Sequence, residues 1–265
     1  MLENTLCVIV PCYNEAKRLD FDCFLEFSKQ HPNFTFCFAE DGSKDNTAEL
    51  LADFCLQHPQ QFFLIANPIN KGKAEAIRNA ALHCHEKYSF TFIAYLDADM
   101  SAPLEEMSRM FDIACQHNES VIVMGTRLRR MGAQVTRTAS RHYLGRVFAT
   151  FASMSLNIPV YDTQCGAKII RTSYVPKLFE KAFISKWFFD IEILKRLLSA
   201  DHFTLQLNSI IEVPLNQWHA VDGSKVKLKD FLIAPFELIR IHRHYPAPDI
   251  AYDELIPKYT VKTKE

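Results

Sequence analysis

The sequence predicts an α/β domain: a mainly parallel sheet with helices on both faces. Three observations predict it. Short β-rich apolar runs alternate with helix-like segments through the first half of the chain. Four strand ends in a row, PCYNE (11–15), EDGSKDNT (40–47), NPINKGK (67–73) and DADMSAP (97–103), are polar or turn-forming, and sheets of this class bind ligands at their strands' carboxyl edge. The chain has 265 residues, 48% of them hydrophobic, enough for one ample core.

Taken in order, TLCVIV (5–10) reads as a strand and is followed by a helix near 20–30. FTFCFAE (34–40) precedes a helix near 45–57, QFFLIA (61–66) one near 73–87, and FTFIAYL (90–96) one near 103–117, before SVIVMG at 120–125. Further on, VFATFASMSLNIPV (147–160) is apolar enough for a core helix or for contact with a lipid chain. The segment 227–246 flanks apolar residues with Lys227, Lys229, Arg240 and Arg243, the pattern of a helix lying among lipid headgroups or closing the core, and Pro235 is expected to split it into two short helices. The expected organisation is therefore a catalytic-type domain over 1–226 and an amphipathic helical extension with a loose tail over 227–265.

A net charge of −1 and a pI near 6.8 exclude a generic nucleic-acid binder. The eight cysteines lack a CxxC pair and read as reduced thiols of a cytosolic protein. His83-Cys84-His85 falls in a helix-like segment, where adjacent residues face different ways, and is a poor metal site. With no secretory leader pattern and no run of 18 apolar residues, the expected location is cytoplasmic, peripheral at most on the inner face of a membrane.

The chemistry concentrates at the strand ends. Asp97-Ala98-Asp99 closes an apolar run, and residues two apart on a strand point the same way. The pair either opens an ordinary polar loop or converges on a divalent cation that also holds a diphosphate. Pro11 is expected to break the first strand, leaving Tyr13 and Glu15 to meet a heterocycle or ribose; Asp41 would accept from a base N–H, while Ser43 and Asp45 suit helix capping. Asn70-Lys71-Gly72-Lys73 opens a helix whose N-terminus attracts anions. Neither a Walker loop nor GxGxxG is present. Six arginines, including Arg127, Arg130 and Arg141, lie within 120–161, which contains no acid; their guanidinium forks suit phosphate oxygens. Asp190 is either a general base for a hydroxyl acceptor or an acid in the first turn of a helix.

PCYNEAKRL, EDGSKDNT, NKGKAEA, YLDADMSAP, GTR (125–127), DTQCGAKIIR (162–171), WFFDIEI (187–193) and EVPLNQWHAVDGSKV (212–226) follow one another as in the family 2 glycosyltransferases. The chain most resembles the dolichyl-phosphate glucosyltransferase and dolichol-phosphate mannosyltransferase branch. That resemblance implies a GT-A fold, a nucleotide-sugar donor such as UDP-glucose, Mg2+ or Mn2+ at the DAD motif, inversion at the anomeric carbon, and a polyprenyl-phosphate acceptor at a membrane surface. It implies donor contacts from Pro11, Tyr13, Glu15, Asp41, Lys73, Asp97, Ala98 and Lys225, with Asp97 nearer the ribose and Asp99 on the metal. It offers His219 as a third metal ligand, while the local concentration of arginines makes Arg127, Arg130 and Arg141 the candidates for the acceptor phosphate. Ala74, Ala167 and Ala220 depart from the family pattern. A same-fold enzyme acting on a saccharide hydroxyl, a non-catalytic nucleotide-sugar binder and a homo-oligomer are the open alternatives.

Overall fold

The computed structural model describes residues 4–136, 139–200, 208–220 and 228–245, without the side chains of 139–144, 228–232 and 234. Its strands are β1 (Leu6–Cys12), β2 (Phe34–Asp41), β3 (Phe62–Asn67), β4 (Phe92–Leu96), β5 (Ile122–Thr126), β6 (Gln134–Thr136), β7 (Ala167–Arg171), β8 (Ile210–Pro214) and β9 (Gln217–His219). The helices are α1 (Phe21–Gln30), α2 (Thr47–Gln57), α3 (Lys73–Lys87), α4 (Leu104–Gln116), α5 (Ala139–Leu156), α6 (Val175–Phe179), α7 (Phe189–Leu198) and α8 (Leu228–His244).

Seven strands form one sheet in the order β3-β2-β1-β4-β7-β5-β8. All neighbours are parallel except β7, which runs antiparallel to both β4 and β5. A small parallel pair, β6 and β9, stands apart. Strand alternation sorts the core. Cys7, Ile9, Ile93 and Tyr95 join the cluster under α3, α5, α6, α7 and α8, whereas Leu6, Val8, Val10, Phe92 and Ala94 face the cluster under α1, α2 and α4. On the second face Phe24 meets Phe36 and Phe38 edge-on, with centroids 5.2 and 5.3 Å apart.

Two expectations about proline are corrected. Pro11 lies inside β1, paired with Ala39 of β2, because β1 runs past Ile9, its last residue paired with β4, and the missing N–H falls where the ladder is already one-sided. Pro235 sits within a single helix, α8, rather than dividing it. The lost hydrogen bond is outweighed by anchors in the second half: Leu238 and Ile241 are buried, and the Tyr245 hydroxyl meets Arg196 of α7. All eight cysteines are free thiols. Among the described residues no helix is long and apolar enough to cross a membrane.

Candidate active site

The loops after β1 and β2 are stitched together. Asn14, with φ 54°, receives the Lys44 N–H on its side-chain oxygen at 2.8 Å and donates its own N–H to Ser43 Oγ at 3.0 Å. The N–H groups of Glu15 and Ala16 both reach Thr47 Oγ1. Tyr13 is half-buried on this loop. Glu15 is buried and spends both carboxylate oxygens on Arg18, each at 2.7 Å, so it is an internal brace and not the open acceptor expected. Asp41 is likewise committed: its oxygens accept the N–H groups of Lys71 (3.0 Å) and Gly72 (2.7 Å). That carboxylate holds the 70–73 loop in place. Gly72 takes φ 96° as the cap of α3, a backbone state that favours glycine. Asp45 receives the Thr47 N–H at 3.1 Å and its hydroxyl at 2.5 Å, while Asn46 holds the cap position of α2.

Lys73, the first residue of α3, reaches Asp97 Oδ1 at 2.5 Å. Partial desolvation pulls the lysine's pKa down, but Asp97, Asp190 and Asp99 together leave it raised, so it stays cationic. β4 ends at Leu96, and the two aspartates occupy the turn beyond it, not the strand. The Met100 N–H donates to the Asp97 carbonyl at 3.1 Å, Met100 takes φ 53°, and Asp99 Oδ1 accepts the Ser101 N–H at 3.0 Å. A turn, not alternation along a strand, therefore sets their relative direction. Ala98 packs into the core between them.

His219 comes close to this turn through its backbone, whose N–H donates to the Ser101 carbonyl at 2.9 Å; its exposed ring faces Thr136 Oγ1 at 3.5 Å. Among the described residues no three His, Cys, Asp or Glu side chains form a cluster able to hold a metal. His219 as third ligand is thus not seen. The two carboxylates still fit Mg2+ or Mn2+, hard cations commonly held by one or two carboxylates together with substrate phosphates. Lys225 lies outside the described residues, and so does the side chain of Arg141 on α5.

Arg127 is also not a free phosphate ligand. Its Nε and Nη2 clasp Asp162 at 2.6 and 2.8 Å, its backbone N–H joins the same carboxylate, and its guanidinium lies 5.4 Å from the Trp218 ring centre. Arg130 is exposed and donates to Asn216 Oδ1 at 2.5 Å.

Asp190 sits in the first turn of α7, whose cap position is Phe188. Its Oδ1 accepts from the Tyr95 hydroxyl at 2.5 Å and from Lys168 Nζ at 2.7 Å. Burial and then the Asp190 charge push the Tyr95 phenol well up, keeping it a donor. Lys168, Tyr95 and Gly166 were absent from the sequence-level site. The available signal was a lysine within the apolar strand AKIIR, since a buried charge demands a partner.

The chain matches the model of Glycosyl transferase family 2 over residues 7–179. It is 30% identical over 251 residues to a dolichyl-phosphate beta-glucosyltransferase, ALG5C, of Trichomonas vaginalis, covering 90% of this chain and 71% of that one. The enzyme of the same name from Dictyostelium discoideum is 32% identical, with 83% and 68% covered, and that of Saccharomyces cerevisiae 28%, with 85% and 70%. Among solved structures, glucosyl-3-phosphoglycerate synthase from Mycobacterium tuberculosis in complex with Mn2+, UDP-glucose and phosphoglyceric acid superposes with a TM-score of 0.65 at 14% identity, covering 93% of this chain and 81% of that one. Mannosyl-3-phosphoglycerate synthase from Rubrobacter xylanophilus gives 0.63 at 14% identity, with 96% and 77% covered. The fold is therefore of the GT-A type, and the chain is a glycosyltransferase that belongs to glycosyltransferase family 2.

Proposed function

We propose that this enzyme transfers glucose from UDP-glucose to a polyprenyl phosphate, inverting the anomeric carbon, with Mg2+ or Mn2+ at Asp97 and Asp99. The dolichyl-phosphate glucosyltransferase relatives, matched over 83–90% of the chain, support both donor sugar and acceptor. The observation that carries the acceptor half is the geometry of Asp190: it is buried and its Oδ1 is tied to the Tyr95 hydroxyl and the Lys168 ammonium, which holds it inside the fold and away from a hydroxyl acceptor. A phosphate acceptor is already anionic and needs no base.

In this reading an acceptor phosphate oxygen attacks C1 of glucose, the bond from C1 to the UDP oxygen breaks, and UDP departs. A bound divalent cation supplies Lewis-acid stabilisation of the charge on the leaving diphosphate. Lys73, held cationic beside Asp97, adds a point charge at the same place. Arg130 is exposed, as is its neighbour Arg129, and is open to the acceptor phosphate.

The lipid chain would lie along two helices that pack together, α5 and α8. Val147, Phe151 and Met154 of α5 and Ile233, Phe236 and Ile239 of α8 are exposed, with Arg240 and Arg243 beside the latter. The test supplies radiolabelled UDP-glucose, Mn2+ and a polyprenyl phosphate. Label should enter the organic phase only when lipid and cation are both present. Label found solely in a water-soluble product formed with an oligosaccharide acceptor would overturn the lipid reading in favour of a hydroxyl acceptor.

A further inference from the structure

Lys168 lies in β7 at 1% exposure, and its three donors are all engaged: the carbonyls of Thr163 (2.9 Å) and Cys165 (2.7 Å), and Asp190 Oδ1 (2.7 Å). The two carbonyls belong to the 162–166 segment, which forms the wall behind Asp97. There the Asp97 N–H donates to the Gly166 carbonyl at 3.2 Å, and a Cβ on Gly166 would stand 2.1 Å from Asp97 Oδ2. The start of the segment is gripped separately. Glu212 accepts the N–H groups of Tyr161 and Asp162, and Arg127 clasps the Asp162 side chain. Lys168 thus joins the backing of one site carboxylate to the helix that carries another, while touching neither Asp97 nor the crevice itself.

Stability alone does not account for a lysine here, because a buried ion pair is often replaceable by apolar side chains without loss. We propose that Lys168 is a positioning residue for glycosyl transfer: it fixes the backbone behind Asp97 against α7, so that Asp97 and Asp190 keep one separation while donor and cation bind. The proposal rests on the nucleotide-sugar reading of the site and is independent of which acceptor is used.

Four variants test it: Lys168→Met, Lys168→Arg, Asp190→Asn and the double variant Lys168→Met/Asp190→Asn. Lys168→Met leaves a carboxylate buried without its cation and is expected to lose stability. The double variant removes that charge and keeps the fold, as thermal unfolding would report. Mn2+ affinity in the presence of UDP, followed by the spin-resonance signal of free Mn2+, is the deciding readout. Asp190→Asn keeps a side-chain oxygen for Lys168 to hold, so the double variant should bind roughly tenfold more weakly than Asp190→Asn, the loss typical when groups that orient metal ligands are removed. Lys168→Arg should recover most of the affinity. Equal affinities in Asp190→Asn and the double variant would overturn the proposal and leave Lys168 a charge partner only. Failure of the parent to bind UDP at all would overturn the nucleotide-sugar reading, and the proposal with it.

Discussion

Lys73 Nζ stands 2.5 Å from Asp97 Oδ1, joining the start of α3 to the turn after β4. Both side chains remain more than a third exposed, so the pair is open to solvent and to an incoming anion. On the proposed reading, a donor diphosphate would meet here a cation already held at the carboxyl edge of the sheet.

Lys73→Met should therefore raise the KM for UDP-glucose by about tenfold or more, with a smaller effect on the acceptor constant, as steady-state kinetics would show. The sign of its pH linkage is also set. Because the folded pKa is raised above the ordinary 10.5, the pair's contribution to stability is complete below that value and drains away as pH climbs through the folded one. At neutral pH donor binding through this lysine should be flat with pH.

Gly166→Ala places a methyl group 2.1 Å from Asp97 Oδ2 and 2.4 Å from its Cγ. Asp97 must swing away. Mn2+-dependent turnover should fall by ~100-fold, the scale expected when a reacting group is misplaced by about 1 Å, while circular dichroism stays that of the parent. Undiminished turnover would show that Asp97 tolerates displacement.

Lys195 of α7 is buried among the helices, donating to the Ser155 carbonyl of α5 and lying 3.4 Å from His242 Nδ1 of α8. Burial pulls its pKa down to about 8. An unfolded lysine holds its proton up to about 10.4, so the unfolded chain binds more protons between those values and this residue makes stability rise with pH there. Lys195→Met should raise the urea midpoint at pH 7 and flatten that rise between pH 8 and 10 relative to the parent.

Phe151 and Phe236 are 57% and 74% exposed on α5 and α8. Replacing both with Asp removes apolar area and adds two negative charges, leaving the buried sides of the helices untouched. Flotation with vesicles containing anionic lipid should fall by about tenfold or more, with the melting temperature unchanged. Equal flotation would place the lipid contact elsewhere.

Much of the sheet was legible. β1 to β5 and α1 to α4 lie within two residues of their expected bounds, because alternating apolar runs closed by polar turns are a local signal. β7 was not read as a strand: Ala167–Arg171 appeared as part of a motif, and its antiparallel pairing depends on partners 70 or more residues upstream in β4. At the site, residue types were legible and their commitments were not. Glu15 and Arg18 are three apart, close enough for a local pair that competes with any ligand contact. Asp41 and Arg127 find their partners about 30 and 35 residues away, which local spacing does not reveal. The aspartate turn depends on Met100 at φ 53°, a conformation uncommon for residues with a side chain.

The reversed direction of β7 gives the crevice an unusual supply line. Its neighbours β4 and β5 deliver loops where they finish, whereas β7 delivers residues 162–166 before it begins. This wall of the site is thus connected upstream to α5, one of the two helices with exposed apolar side chains, instead of downstream to a crossover helix. If α5 lies on a lipid surface as proposed, a pull on it would reach Tyr161 and Asp162 first, where Glu212 and Arg127 hold the chain, so the wall beside Asp97 is braced against movement of the outer helix.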